Sequence, residues 1–227
     1  MKRSEVSHAI EHVNYKELIR QTAIHEAGHA VAIHLGNRQK SLPPVFFQIV
    51  IKKPTADFPR HASESYAHCT AKVEGGRLIH MLPSSIEEAT NDFSIEQKQA
   101  YQQAFEADIV NLLIGPLAEA RYIASRDDEV INAYLVNLNA LRYYGGTSDL
   151  ELAGEYLECF IADQALREKK IGELFMKAFA FVHHAQNWRA IMALADYILA
   201  SPKSIIDCEE VMALLDNCLI QNRYAYA

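Results

Sequence analysis

The chain has 227 residues, of which 50% are hydrophobic and 22% charged, with a formal net charge of -7 and a sequence pI near 5.8. This acidic balance argues against a nucleic-acid-binding surface. No apolar run approaches the roughly 20 residues that cross a bilayer, and residues 1–12 lack the apolar core of a signal peptide. Four cysteines without a C-x-x-C pair predict buried thiols in a reducing compartment. We therefore expect no membrane segment and a cytoplasmic location.

The first predicted element is a helix over residues 14–35, ended by Gly36-Asn37. It contains the stretch TAIHEAGHAV, in which His25 and His29 stand four residues apart. Such residues lie one turn apart on the same helix face, so both imidazoles can point at one metal ion. Glu26 follows the first histidine, where its carboxylate can reach a metal-bound water without being a ligand itself.

This H-E-x-x-H spacing is that of zinc hydrolases. Zinc lowers the pKa of a bound water from about 15.7 to about 7, and a nearby carboxylate can take its proton as the water attacks a carbonyl. The same pattern arises by chance at roughly the few-per-cent level in a chain of this length, and two imidazoles on one helix face can simply be solvated. The small apolar residues Ala23, Ala27 and Ala30 predict a packed helix and favour the catalytic interpretation.

A small β structure is predicted next. The β-branched and aromatic run at residues 45–51 indicates a buried strand, and polar residues 53–65 indicate a loop. Residues 66–74 alternate as a half-buried strand does, Gly75-Gly76 indicates a hairpin turn, and residues 77–82 are expected to return as the partner strand. The open edge of this hairpin can pair with an extended peptide, or the hairpin can be scaffold only; the sequence leaves both open.

The middle of the chain reads as mostly helical. Residues 84–100 predict a loop or a short exposed helix. Apolar positions at helical spacing over residues 101–124 predict a second long helix, with Gly115-Pro116 marking a break or kink. Residues 127–144 favour another helix, ended by Gly145-Gly146.

A further helix is predicted to begin near Ser148, which fits a capping box with Glu151 and puts Asp149 in the first turn. A carboxylate there is stabilised by the helix dipole without any metal. Two histidines rarely complete a catalytic zinc site, however, and a third protein ligand is needed. Asp149 is a candidate on position, although spacing does not single it out from other carboxylates.

The C-terminal part is predicted to be helical. Residues 169–200 indicate one or two helices, Ser201-Pro202 breaks the chain, and residues 207–219 indicate a last amphipathic helix.

Three separated stretches together resemble the peptidase domain of the FtsH-type membrane-anchored ATP-dependent zinc proteases. Residues 22–30 resemble that family's zinc-binding helix. Residues 114–120, IGPLAEA, are similar to its Gly-Gly-Arg-x-Ala-Glu-Glu helix, and residues 146–150, GTSDL, are similar to its Gly-Ala-x-Asn-Asp-Leu segment. Weaker similarity in the C-terminal helices extends the resemblance over roughly residues 20–217.

The resemblance implies that His25, His29 and Asp149 are zinc ligands and that Glu26 is the general base. Glu119 matches a family position, and we expect it to orient a ligand imidazole. The predicted hairpin resembles the family's substrate-side strands.

The chain also departs from the family. It has no P-loop, G-x-x-x-x-G-K-[ST], and no membrane segment, so the ATP-driven unfoldase and the anchor are expected to be missing. Pro116 stands where the family has arginine. Residues 124–145 are longer than their counterpart and could cover the cleft or remodel oligomer contacts. A homo-oligomer and a separate ATPase partner are open expectations.

We therefore expect a single zinc-peptidase-like domain over residues 1–227, mostly α with a small β-hairpin or sheet (α+β). The metal site falls in residues 20–165 and a helical C-terminal part in residues 166–227. The expected activity is zinc-dependent hydrolysis of peptide bonds in short or unfolded polypeptides. Two alternatives stay open, a non-catalytic regulatory metal-binding module that docks on a partner protease or ATPase, and a zinc hydrolase acting on a non-peptide amide.

Overall fold

The computed structural model describes residues 2–52 and 71–224, with side chains described within residues 15–52 and 71–218. It is mostly helical with a small antiparallel sheet, which confirms the expected α+β class. The predicted loop at residues 53–65, residues 66–70 of the predicted strand, and Cys69 lie outside the described residues.

The helices are α1 (Lys2–Val31), α2 (Asn37–Gln39), α3 (Ile86–Ala89), α4 (Ile95–Arg126), α5 (Thr147–Phe160), α6 (Gln164–His183), α7 (Ala185–Ala200) and α8 (Cys208–Tyr224). A π-helical turn spans Ala32–Gly36 and a 3₁₀ turn spans Ala140–Tyr144. The strands are β1 (Phe47–Ile51), β2 (Ala71–Gly75) and β3 (Ile205–Asp207). Among the described helices, none combines the length and the apolar character needed to span a bilayer.

The core forms where α1 crosses α4, with α7 packed on α1 and α6 packed on α4. As the sequence predicts, Ala23, Ala27 and Ala30 are fully buried in this core. The two helices approach closely at Gly28, where an added Cβ would lie 3.0 Å from the Ala118 Cβ and 3.1 Å from the Ile114 carbonyl oxygen. Small residues on α1 thus set the distance between the two long helices.

Among the described residues the sheet has the order β2-β1-β3 and is antiparallel throughout, which makes β2 an edge strand there. The predicted strand at residues 45–51 is confirmed as β1, whose alternate residues Phe47, Ile49 and Ile51 are buried. The strand opposite β2 is β1, with Phe47 opposite Gly75. The predicted partner strand at residues 77–82 is therefore wrong.

Asp108 explains why the chain after Gly76 leaves the sheet. The Gly76 N–H donates to the Phe46 carbonyl at 2.8 Å and ends the strand pairing. The next backbone donors, the N–H groups of Leu78 and Ile79, donate to the Asp108 carboxylate, each with a 2.9 Å contact. A carboxylate that binds these donors takes the place of a partner strand.

The predicted stop of the first helix at Gly36-Asn37 is wrong, because the helix continues through the π-helical turn into α2. Gly36 has φ −66°, an ordinary helical value, and is buried beside the Phe181 ring. The chain turns later, at Ser41, whose φ is 55°. Gly36 is therefore a packing residue rather than a helix terminator.

The second long helix begins earlier than predicted, at Ile95, because Ser94 and Gln97 form a capping box there. It runs on to Arg126 without a break, and Pro116 lies inside it. The short exposed helix expected within residues 84–100 corresponds to α3.

The helix predicted over residues 127–144 is wrong apart from its 3₁₀ end. The Asn132 side chain accepts the N–H groups of Tyr134 and Leu135, and the Asn137 side chain accepts that of Ala140. Asparagine side chains that bind nearby backbone donors compete with helix formation, which accounts for the turns found here.

The C-terminal part is mostly helical as predicted, with residues 169–200 divided between α6 and α7, but the strand β3 between α7 and α8 was not predicted. The Asp163 carboxylate accepts the Leu166 N–H at 2.9 Å and starts α6 earlier than expected. Of the described thiols, Cys208 is buried as predicted, whereas Cys159 and Cys218 are only half-buried.

The close approach at Gly28 predicts a large effect of a small substitution. We expect Gly28→Val to lower the free energy of unfolding by roughly 1–3 kcal/mol, because the added atoms meet the backbone of α4. The same change at Gly154, in mid-helix with no heavy atom within 4 Å of its Cβ position, is the matched control. It should change stability by less than about 0.5 kcal/mol in urea unfolding. Equal stability of the two variants would contradict this packing.

Candidate metal centre

His25 and His29 on α1 meet Asp149, which lies in the first turn of α5. One oxygen of Asp149 lies 3.3 Å from the His25 Nε2, and the other lies 3.4 Å from the His29 Nε2. One ligand atom from each of the three residues lies within 4.8 Å of the others, which is close enough for the three to share one ion. The structure brings together the three predicted ligands, and this group can hold a metal ion.

The start of α5 positions Asp149, although not through the predicted capping box. Ser148 lies inside α5. Gly146 is the residue just before the helix, and no side chain caps the helix there. Gly145 has φ +70°, and a Cβ on Gly146 would lie only 2.7 Å from the Pro116 Cβ. The turn therefore requires both glycines, and it places the first turn of α5 against the middle of α4.

Each imidazole is held through its other ring nitrogen. The His25 Nδ1 lies 3.0 Å from the Glu119 Oε2, and the His29 Nδ1 lies 2.8 Å from the Asn111 carbonyl oxygen. With each Nδ1 bound in this way, both Nε2 atoms face Asp149. Partners of this kind fix the ring orientation of a metal-ligating histidine. Glu119 thus lies where the resemblance implies, whereas nothing in the sequence marks the Asn111 carbonyl.

Gly115 has a role that the sequence analysis missed. A Cβ at this position would lie 2.3 Å from the His29 Nε2, so only glycine leaves room for the imidazole. The signal available was a glycine inside a helical pattern, which costs about 1 kcal/mol and usually has a packing or functional reason. The pair Gly115-Pro116 was instead expected to mark a break or kink in the helix.

Glu26 lies beside the two histidines, is half-buried, and is not one of the three converging groups. Its Oε2 accepts the backbone N–H of Val73, in β2, at 2.6 Å. The predicted base is therefore attached to the edge strand of the sheet.

The three predicted ligands and Glu26 line a cleft of about 280 Å³, together with part of β2 and the residues that follow it. Of residues 124–145, Gly145 alone lines the cleft. The segment expected to cover the site thus contributes one residue to its wall.

The site is strongly charged before any metal is considered. Burial alone would lower the pKa of His25, but hydrogen bonds to Asp149 and Glu119 outweigh burial and raise it well above its ordinary value. Burial alone would raise the pKa of Asp149, but the charges and hydrogen bonds of His29 and His25 hold it well below its usual range. A metal ion would therefore compete with protons for the imidazoles.

No protein-family model matches this chain, and no curated protein matches its sequence. The resemblance to the FtsH-type peptidase domain stays a prediction.

The raised pKa of His25 predicts how the metal-free fold responds to pH. The His25 proton binds more tightly to the folded chain than to the unfolded chain, so it stabilises the fold. This stabilisation is complete below about pH 6.5, the ordinary pKa of histidine in an unfolded chain. It is lost as the pH rises through the higher pKa of His25 in the folded chain. Urea unfolding with a chelator present should show stability falling as the pH rises above about 6.5. Asp149→Asn should flatten this profile, and an unchanged slope would contradict the assignment.

The three converging residues predict different metal contents for two variants of α5. Wild-type protein should hold about one divalent ion per chain. Removal of a residue that only orients a ligand weakens metal affinity roughly 10–100-fold. Asp149→Ala removes a ligand itself and should weaken metal affinity by more than that. Glu151→Ala, an exposed change on the same helix, should bind as wild type does. Elemental analysis after dialysis measures both, and full occupancy of Asp149→Ala would show that this residue is not a ligand.

Proposed function

We propose that this chain is a zinc-dependent metallopeptidase that hydrolyses peptide bonds in short or unfolded polypeptides. The observation that carries the proposal is the meeting of His25, His29 and Asp149 at one point in an open cleft, with Glu26 beside them. This arrangement combines a metal-binding group with a carboxylate that is not part of it.

The donor set suits zinc, since two imidazoles and one carboxylate leave one tetrahedral position open. A bound zinc ion supplies a Lewis acid that polarises the substrate carbonyl and makes water more acidic. Glu119 and the Asn111 carbonyl keep the two rings oriented, so the Nε2 atoms are arranged for the ion before it binds.

Glu26 would act as the general base. It takes a proton from the attacking water and then passes the proton to the leaving amine. The hydrogen bond from the Val73 N–H fixes the position of the Oε2.

The edge strand supports a peptide substrate. β2 lies at the edge of the sheet formed by the described residues, and Lys72, Val73 and Gly75 line the same cleft as the metal ligands. An extended peptide can lie along such an edge, with its scissile bond near Glu26. A folded protein does not present an extended backbone of this kind, which is why short or unfolded chains are the proposed substrates.

One observation favours the alternative of a non-catalytic regulatory module docked on a partner protease or ATPase. The 2.6 Å contact between Glu26 and the Val73 N–H engages the base in holding the sheet against α1. In that case the metal group and Glu26 would both be structural.

Substitution of Glu26 decides between these functions. Glu26→Gln should lower the rate of peptide hydrolysis by about 10²–10⁴-fold, because an amide cannot act as a base. Metal content should not change, since glutamine still offers an oxygen to the Val73 N–H. Glu74→Gln, an exposed change on the same strand, should retain the wild-type rate. If the zinc-loaded wild type cleaves no unfolded polypeptide, the regulatory alternative is favoured.

A further inference from the structure

Two cations face the cleft that contains the metal group. Lys72 on β2 and Arg77 just after it are both exposed, and both line this cleft. Within residues 71–218 and 15–52, neither side chain forms an ion pair. The protein as a whole has a formal net charge of -7, which is opposite in sign to these two side chains.

The position of Lys72 is fixed by the sheet and by the base. Lys72 lies opposite Val50 in the β1–β2 pairing. The next residue, Val73, donates its N–H to the Glu26 carboxylate. Lys72 is therefore the neighbour, along β2, of the residue whose N–H binds the proposed general base.

The position of Arg77 is fixed from both sides. Before it, Gly75 and Gly76 have φ values of 86° and 80°, which turn the chain away from the strand. After it, the N–H groups of Leu78 and Ile79 are bound by the Asp108 carboxylate. The backbone of Arg77 is thus held at the wall of the cleft while its guanidinium stays exposed.

The carboxylates of the cleft already have partners. Asp149 lies between the two imidazoles, and Glu26 accepts the Val73 N–H. Asp108 accepts the Tyr156 hydroxyl at 3.2 Å in addition to its two backbone donors. The charge of Arg77 acts to lower the pKa of Asp108, but within the described residues neither cation of the cleft forms an ion pair, so both can bind a carboxylate of a ligand.

We propose that Lys72 and Arg77 form a subsite for a carboxylate of the bound peptide. Arginine and lysine side chains bind carboxylates through charge-assisted hydrogen bonds, and arginine does so with two parallel bonds. The carboxylate is either an Asp or Glu side chain or the free C-terminus of the peptide. The peptide nature of the ligand rests on the proposed function.

Binding to the Glu26→Gln variant tests this subsite without turnover. Three fluorescent peptides are compared by anisotropy, and they differ only at one side chain and at the C-terminus. The first has Glu and an amidated C-terminus, and the second has Gln and an amidated C-terminus. The third has Gln and a free C-terminus. One or both carboxylate peptides should bind about 3–10-fold more tightly than the neutral one at low salt, with less preference at high salt. The peptide that binds more tightly identifies the source of the carboxylate.

Charge reversal supplies the matched comparison. In the Glu26→Gln background, Lys72→Glu and Arg77→Glu should each abolish or reverse the preference. Lys169→Glu changes the net charge equally on an exposed face that does not line the cleft, and it should leave the preference intact. Equal binding of the three peptides, an equal effect of the Lys169 change, or no binding of any peptide would overturn the subsite.

Wild-type hydrolysis separates this inference from the proposed function. Cleavage of neutral and acidic peptides at equal rates, with equal binding, overturns the subsite and leaves the peptidase. Charge-dependent binding without cleavage by the zinc-loaded protein supports the subsite and overturns the peptidase.

Discussion

The close crossing of α1 and α4 is the constraint on which the rest of this structure depends. Gly28 lets the two backbones approach, and Gly115 leaves the space that the His29 ring occupies. At that distance α4 supplies a partner for each ligand imidazole, the Glu119 carboxylate for His25 and a backbone carbonyl for His29. The same small residues therefore allow both the packing of the core and the orientation of the two ligand imidazoles.

Carboxylates connect this helical pair to the sheet. Glu26 on α1 binds the backbone of β2, and Asp108 on α4 binds the residues that follow it. Burial raises the pKa of Asp108 despite these hydrogen bonds, which shows how far this group is removed from water. Through these two contacts the edge strand is held in register with the metal ligands, so a ligand that pairs with the strand would also lie beside the site.

The Asp149 carboxylate is surrounded by groups that can carry positive charge. Protonated imidazoles offset the Asp149 carboxylate in the metal-free protein, and a divalent cation would do so in the loaded one. The contact between Glu26 and Val73 is central to both proposed functions. It orients a base if the protein is an enzyme, and it is a structural link between α1 and β2 if the protein is a regulatory module.

The sequence by itself determined what depends on local spacing. The four-residue separation of His25 and His29, with Glu26 between them, places all three on one helix, and helical periodicity located most of the long helices. Position made Asp149 a candidate and only the resemblance singled it out, because Asp149 lies 120 positions after His29 and spacing cannot show that they meet. Tertiary structure alone decided that β2 pairs with β1, that Asp108 replaces a strand partner, and that Gly36 continues a helix. Each of these depends on a contact with a residue distant in the sequence, which no local pattern records.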